Sequence, residues 1–357
     1  MITDSVLDLA VEKGLIAPGQ AAALRSLARQ EEPELRPEPV DEERLRFVTG
    51  FADIFVTLGL VLFLGSAAYL IGRHLSDGPT AALVALLAWA LAEFFTRRRR
   101  MALPSIVLLV VFTSAVFLAL VAALGSEPGQ AGPRLGWLDI VVRPNRDPLT
   151  SALAGLATAA AAALHYLRFR VPITIAAGVA ALAFMVLMLF YVGAPDLTAR
   201  LANPILLALG IGAFAIAMRF DLADPARRTR RTDIAFWLHL LAAPLIVHSL
   251  FDMIGVGRGL LPPGAAAIVL AIFLALAIVA VFVDRRAILV SGLVYAGVAF
   301  ASLIRSVGLS DTTTPVTMLA LGAFVLLLSA GWAPLRRGLL GFAPEGLVAR
   351  LPRPVSP

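Results

Sequence analysis

The chain contains no cysteine, which excludes a disulfide framework, a thiolate metal site and a cysteine nucleophile. Charge is scarce as well. Asp, Glu, Lys and Arg make up 15% of the 357 residues, against about 25% in an ordinary soluble domain. Apolar residues reach 59% and mean hydropathy is +0.88, more apolar surface than a soluble interior of this size can hide. Its natural solvent is lipid. Three motifs are also missing: a Walker-type lysine loop, HExxH and GxSxG. An ATP-driven pump within this one chain is thereby excluded, and no enzyme, cofactor or metal site is expected. No stretch between the apolar runs alternates apolar and polar residues with period two, which argues against a β-barrel.

What the sequence does contain is ten apolar runs, each near the length that crosses about 30 Å of hydrocarbon as a helix. They fall at approximately 51–71, 80–96, 104–124, 150–167, 171–192, 203–219, 232–252, 265–283, 287–305 and 316–334. The second and fourth are short and could end a turn later. An all-α polytopic transmembrane bundle follows, because helices satisfy every backbone amide within lipid.

Lysine and arginine collect in cytoplasmic loops, and this orients the bundle. With the N-terminus inside, 23 of the 30 basic residues fall on the inner connections and termini, and seven on the outer ones. Every inner connection carries at least two, whereas four of the five outer connections carry one. The expectation is N-in/C-in. Arg97-Arg98-Arg99-Arg100 and Arg227-Arg228-Thr229-Arg230-Arg231 look alone like nucleic-acid or acidic-lipid motifs. They lie where topology already demands positive charge, so no nucleic acid is expected, and lipid headgroups are the alternative partner.

Residues 1–50 are unlike the rest, with a net charge of −4 against +10 for the remainder. They lack the basic start and apolar core of a signal peptide. Thr3 or Asp4 can cap a helix carrying Val6, Leu7, Ala10 and Val11, which Gly14 can end. Pro18 opens a second helix with Ala22, Leu24 and Leu27. Residues 1–29 thus read as a cytoplasmic helical hairpin too small for its own core. It should dock on the membrane domain, a cytoplasmic partner or another copy of itself. Residues 30–50 read as an acidic linker, 51–334 as the membrane domain and 335–357 as a Pro/Arg-containing cytoplasmic tail.

The hairpin Leu7-Asp8-Leu9-Ala10-Val11-Glu12-Lys13-Gly14-Leu15-Ile16 resembles that of a group of functionally uncharacterised bacterial polytopic membrane proteins. So does the run Phe220-Asp221-Leu222-Ala223-Asp224-Pro225, continuing through Arg230-Arg231-Thr232-Asp233 into Phe236-Trp237-Leu238-His239. The resemblance covers about 50 of the 357 residues and implies a bacterial inner membrane, without supplying an activity. In helix number and termini the chain is also similar to ten-helix drug/metabolite-type transporters, which are built from two inverted five-helix repeats. Residues 51–192 and 203–334 share no motif of that kind.

Four helix pairs, 80–124, 150–192, 203–252 and 265–305, follow one plan of helix, short arginine-bearing inner turn and return helix. Pro104 and Pro172 each sit just past such a turn. Every inner turn must carry positive charge, which accounts for the likeness without an ancestral duplication. Gly155, Gly210 and Gly212 offer small faces for close helix contact.

Any chemistry must come from ionisable groups that lipid makes costly. The seventh run, Thr232 to Asp252, holds most of them. His239 lies roughly 9 Å along the helix from Asp233, and His248 about 13 Å further. His248 and Asp252, four apart, share a face. Pro244 stands between the histidines and could act as a hinge. His239, His248 and Asp252 could therefore handle protons or solute, with Arg305 as a partner of Asp252 or an anion contact. In the plainer alternative each histidine is a neutral interhelical hydrogen-bonder and both aspartates sit among headgroups. Two histidines nine apart make a poor metal site. Secondary candidates are Asp233 and Glu93, the latter placed for an i,i+4 pair with Arg97. Asp53, His165 and Tyr166 read as interfacial, Asn203 as a helix cap, and Trp137 as an interface anchor in the long outer connection.

Two functions are consistent with this pattern. One is a secondary transporter or permease of a small solute, with proton coupling through the seventh helix. The other is a non-transporting scaffold or sensor whose hairpin docks a cytoplasmic partner. Transport expects a wet mid-membrane cavity reached by at least one of the histidines. Scaffolding expects a dry bundle with both imidazoles bonded to neighbouring helices.

Overall fold

Twenty-residue apolar runs bounded by proline, glycine and arginine can satisfy their backbones only by coiling, and they do. The computed structural model describes residues 4–31, 51–124, 147–224, 229–256, 261–306, 308 and 312–342. Most of the acidic linker, Trp137 with its connection, and the end of the tail lie outside them. Among the described residues there is no strand. The hairpin and the helical bundle are separate units.

In the hairpin, α1 (Asp4–Glu12) ends at Gly14, whose φ of +67° is a conformation that glycine accepts readily. The Leu15 amide donates to the Ala10 carbonyl and that of Gly14 to Val11, closing a Schellman turn. The second helix, α2 (Pro18–Glu31), opens with the Gln20 side chain accepting the Ala17 amide at 2.9 Å. The two helices pack on each other and bury Leu7 and Ala21, leaving Leu9, Leu15 and Leu24 exposed.

The bundle runs α3 (Phe51–Gly72), α4 (Asp77–Ala92) with a π-helical extension (Glu93–Arg98), α5 (Ala102–Leu124), α6 (Pro148–Phe169), α7 (Ile173–Gly193) and α8 (Pro195–Leu222). It continues with α9 (Arg230–Met253), α10 (Pro263–Val283), α11 (Ala287–Ser306), α12 (Thr313–Ala330) and a short α13 (Trp332–Leu340). Ten of these, α3 through α12, are long and apolar enough to cross a membrane. The chain is a multi-pass membrane protein. Apolar side chains such as Phe55, Leu62, Tyr69, Leu319, Leu326 and Leu327 face outward from α3 and α12, where only lipid would accept them as a sheet of surface.

The four helix pairs expected from the sequence, α4–α5, α6–α7, α8–α9 and α10–α11, make the four most extensive helix contacts. Three of their turns close on a charged residue with left-handed backbone: Arg100, Arg170 and Asp284, at φ of 54°, 54° and 62°. Asp284 closes a Schellman turn in the place glycine usually takes, with the Arg285 amide on the Ala280 carbonyl and its own on Val281. Close packing is concentrated at particular glycines. A Cβ on Gly210 would lie 2.9 Å from Leu245 and Ile246 side-chain atoms and 3.0 Å from the Ile246 nitrogen, so α8 meets α9 there backbone to backbone. Gly155 approaches the Ala181 carbonyl of α7 in the same way, whereas Gly212 meets nothing.

Several boundaries and exposures differ from the sequence expectation. The sixth span starts at Pro195, not 203, because Pro195 supplies a first-turn proline and the helix runs on through Pro204. Asn203 is therefore inside the helix and caps nothing. The last span ends at Ala330, and the expected tail opens instead with α13, which buries Trp332 and Arg336. His165 is not interfacial. It lies on the α6 face shared by Ala154, Thr158 and Ala162 and is buried against Trp89, Phe112 and Phe169. Asp53 is buried as well, on the inward side of α3 with Leu60 and Leu64.

Candidate functional site

Ionisable side chains converge at the arginine-rich end of α8–α11. Asp221, in the last turn of α8, accepts from His239 Nε2 at 2.8 Å and from Arg285 Nε at 3.1 Å. The second Arg285 contact, Nη2 to the other carboxylate oxygen, makes the pair bidentate. Exposure is 1% for Asp221, 0% for His239 and 1% for Arg285, so all three are withdrawn from solvent. A lone buried charge would cost several kcal/mol, and a two-point guanidinium contact plus an imidazole is the arrangement that offsets it. Arg285 Nη2 also reaches the Thr232 carbonyl at 3.5 Å, tying the α10–α11 turn to the first turn of α9.

Two further aspartates fasten the same end. Asp224 accepts from the Thr229 amide at 2.8 Å, the Thr229 hydroxyl at 2.6 Å and the Thr232 hydroxyl at 3.2 Å, bracing the start of α9. Asp284 accepts from Trp332 Nε1 at 2.7 Å and faces Arg336 Nη1 at 3.5 Å, both on α13. Arg286 lies over the Trp332 ring, its guanidinium carbon 5.0 Å from the centroid. Three consecutive residues, Asp284, Arg285 and Arg286, thus hold α13 on one side and α8–α9 on the other.

The sequence-predicted residues do not form one pathway. His239 contacts Asp221 and packs edge-on to Phe214. His248 hydrogen-bonds through Nδ1 to the Tyr295 hydroxyl of α11. Asp252 accepts from Asn203 Nδ2 of α8 at 2.7 Å and has no ion pair with Arg305, which is exposed in the last turn of α11. Depth alone suggested that pairing, but Asn203 points from the adjoining helix and reaches the carboxylate first. Pro244 sits inside α9, which continues through it as helix. Glu93 pairs with Arg97 at 3.3 Å as spaced, and more closely with Arg168 of α6, at 2.8 and 3.0 Å. Asp233 lines a cavity between the arginine-bearing turns.

That cavity, about 480 Å³, and another of about 780 Å³ at the opposite end beside Ser76–Pro79 and Ala119–Ala123 both lie away from His239 and His248. Among the described residues no three His, Cys, Asp or Glu side chains gather as metal ligands would. Asp221, Arg285, Asp284 and Tyr295 were not singled out in the sequence. A signal for the two aspartates existed: acidic residues inside short arginine-bearing turns, where the orientation rule calls only for positive charge.

A helical multi-pass membrane protein with a buried carboxylate shared by an imidazole and a guanidinium is the class that these features define. Beyond that class comparison is silent, since the chain matches no protein-family model, no curated protein and no solved structure.

Proposed function

We propose that the chain is a non-transporting scaffold or sensor of a bacterial inner membrane, with both termini in the cytoplasm and the hairpin of residues 1–29 docking a cytoplasmic protein or a second copy. What carries the reading is the state of the two α9 histidines. Each imidazole is bonded to a neighbouring helix, His239 to Asp221 and His248 to Tyr295, and neither lines a described cavity. Imidazoles used in this way join helices. The concentration of arginine at one end supports its placement on the cytoplasmic side. Leu15 of the hairpin, 74% exposed, and its neighbours Leu9 and Leu24 supply apolar surface for the docked partner.

The second reading, a secondary transporter of a small solute with proton coupling, has one observation in its favour. A carboxylate shared by an imidazole and a guanidinium, as at Asp221, His239 and Arg285, is what a charge-locked inner gate requires. Under that reading His239, His248 and Asp252 titrate, Pro244 flexes and Arg305 contacts an anion.

One thiol separates the two. Ser249 adjoins His248 and is fully buried, and with no native cysteine Ser249→Cys carries the sole reactive sulfur. The scaffold reading expects this thiol to resist a membrane-impermeant thiosulfonate from both sides, with or without a proton gradient. Labelling that depends on the gradient reveals a water-filled path and returns the transporter.

A further inference from the structure

The arginine-lined cavity has no part in either reading above. It is an open pocket bordered by the α4–α5 turn, the α6–α7 turn and the head of α9. Arg97 and Arg100 come from the first, Arg168 and Arg170 from the second, and Arg230 from the third. Among the described residues, the carboxylates at hand are Asp233, also in the lining, and Glu93, which bonds Arg168 and Arg97. Five arginines, all solvent-exposed and two of them paired with Glu93, thus contribute to the lining of one cavity. An anion held among them would gain from several positive charges at once.

A second feature points the same way. Thr96 lines the cavity, is 8% exposed, and its hydroxyl has no hydrogen-bond partner among the described residues. Six other helical hydroxyls are satisfied locally, although that of buried Ser249 is not. Thr57, Thr113, Thr158, Thr198, Ser302 and Thr317 each donate to the carbonyl four residues earlier. Thr96 lies in the π-helical segment Glu93–Arg98, where the i−4 carbonyl is displaced from that position. Its O–H is left without an acceptor, buried in the wall of the cavity. Arg100 and Arg170 also hold left-handed backbone that glycine adopts at lower cost, yet both positions carry charge.

We propose that this cavity binds a phosphate group, with the five arginines as its counter-charges and the Thr96 hydroxyl as a further donor. Guanidinium forks match phosphate oxygens two at a time. The remaining wall is apolar, with Ile106, Phe169, Val171 and Trp237, which suits a phosphate carried by an amphiphile, the headgroup of an anionic phospholipid. A water-soluble phosphate ester presents the same headgroup chemistry without the acyl chains.

The test uses the full-length chain, delipidated in neutral detergent and titrated with phosphatidylglycerol or with glycerol 3-phosphate, bound ligand being counted by native mass spectrometry. One tightly held phosphatidylglycerol is expected. Arg170→Ala with Arg230→Ala should weaken it at least about tenfold, the loss of two charge-assisted contacts. Arg98→Ala with Arg99→Ala removes equal charge from the α4–α5 turn, outside the cavity lining, and should change binding less than about twofold. Thr96→Val, which keeps the side-chain shape, should weaken binding about threefold with the melting temperature unchanged. Glycerol 3-phosphate binding with the same dependence on the variants supports the phosphate site and assigns it a soluble ligand. Equal weakening by both arginine pairs, or binding of neither ligand, overturns the site. An unaltered affinity in Thr96→Val overturns the role of its hydroxyl.

Discussion

Arg285 and Asp221 lie 64 positions apart in the chain and meet as a two-point ion pair, each 1% exposed, where the α10–α11 turn crosses the end of α8. His239 completes the carboxylate's shell from α9. Since Asp284, the preceding residue, holds α13, the turn fastens α8, α9 and α13 at once. Breaking it from one side leaves a buried charge without its counterpart.

Arg285→Ala or Asp221→Ala is therefore expected to lower stability by about 3–5 kcal/mol. Replacing both together with apolar residues of similar volume, Asp221→Leu with Arg285→Met, should recover most of that loss, because the stranded charge is gone. Thermal unfolding in detergent, followed by helical circular dichroism, measures the difference. A double variant as unstable as either single one would mean that the pair itself, and not the stranded charge, sets the cost.

The α8–α9 contact yields a sharper contrast between two glycines one residue apart from a common neighbour. Gly210→Ala drives a methyl into the Ile246 backbone and should cost about 1–3 kcal/mol as overpacking. Gly212→Ala meets open space and should be neutral or slightly stabilising. The same unfolding assay ranks them, and equal effects would place the helix contact elsewhere.

His248 and Tyr295 link α9 to α11 through one hydrogen bond. Interhelical bonds within membranes average about 0.6 kcal/mol, so Tyr295→Phe should destabilise by that order and no more. Combined with His248→Ala in a double-mutant cycle, the coupling should match. A coupling several times larger would reveal a charged or networked site, as a proton path requires.

The hairpin is a unit of its own, and deletion of residues 1–30 should leave membrane insertion and the melting of the bundle unchanged while abolishing co-purification of any cytoplasmic partner. If insertion fails in membrane fractionation, the hairpin serves assembly of the bundle.

The number of spans was legible because a twenty-residue apolar run has one solution in lipid, and all ten runs became helices. Ends were less so. Pro195 could not be told from a loop proline without knowing that Asn203 was needed one helix over, against Asp252. The individual histidines were visible, but their partners were not. Asp221 and Arg285 each look, in sequence, like ordinary residues of a charged inner turn, and only the folding of the turns onto one another withdraws them from water. His165 misled for the same reason: proximity to Arg168 suggested headgroups, while helical spacing with Thr158 and Ala162 turned its ring inward. The cavity was foreshadowed by the arginine runs, whose clustering across three turns is a property of packing.

The orientation of the bundle underlies every reading given above, and single cysteines introduced into this cysteine-free chain test it directly. Arg99→Cys and Arg230→Cys should react with an impermeant maleimide only in inside-out vesicles, and Asp77→Cys and Asp196→Cys only in right-side-out ones. Labelling of positions 99 and 230 from opposite sides would contradict the ten-span arrangement and, with it, the cytoplasmic placement of the hairpin.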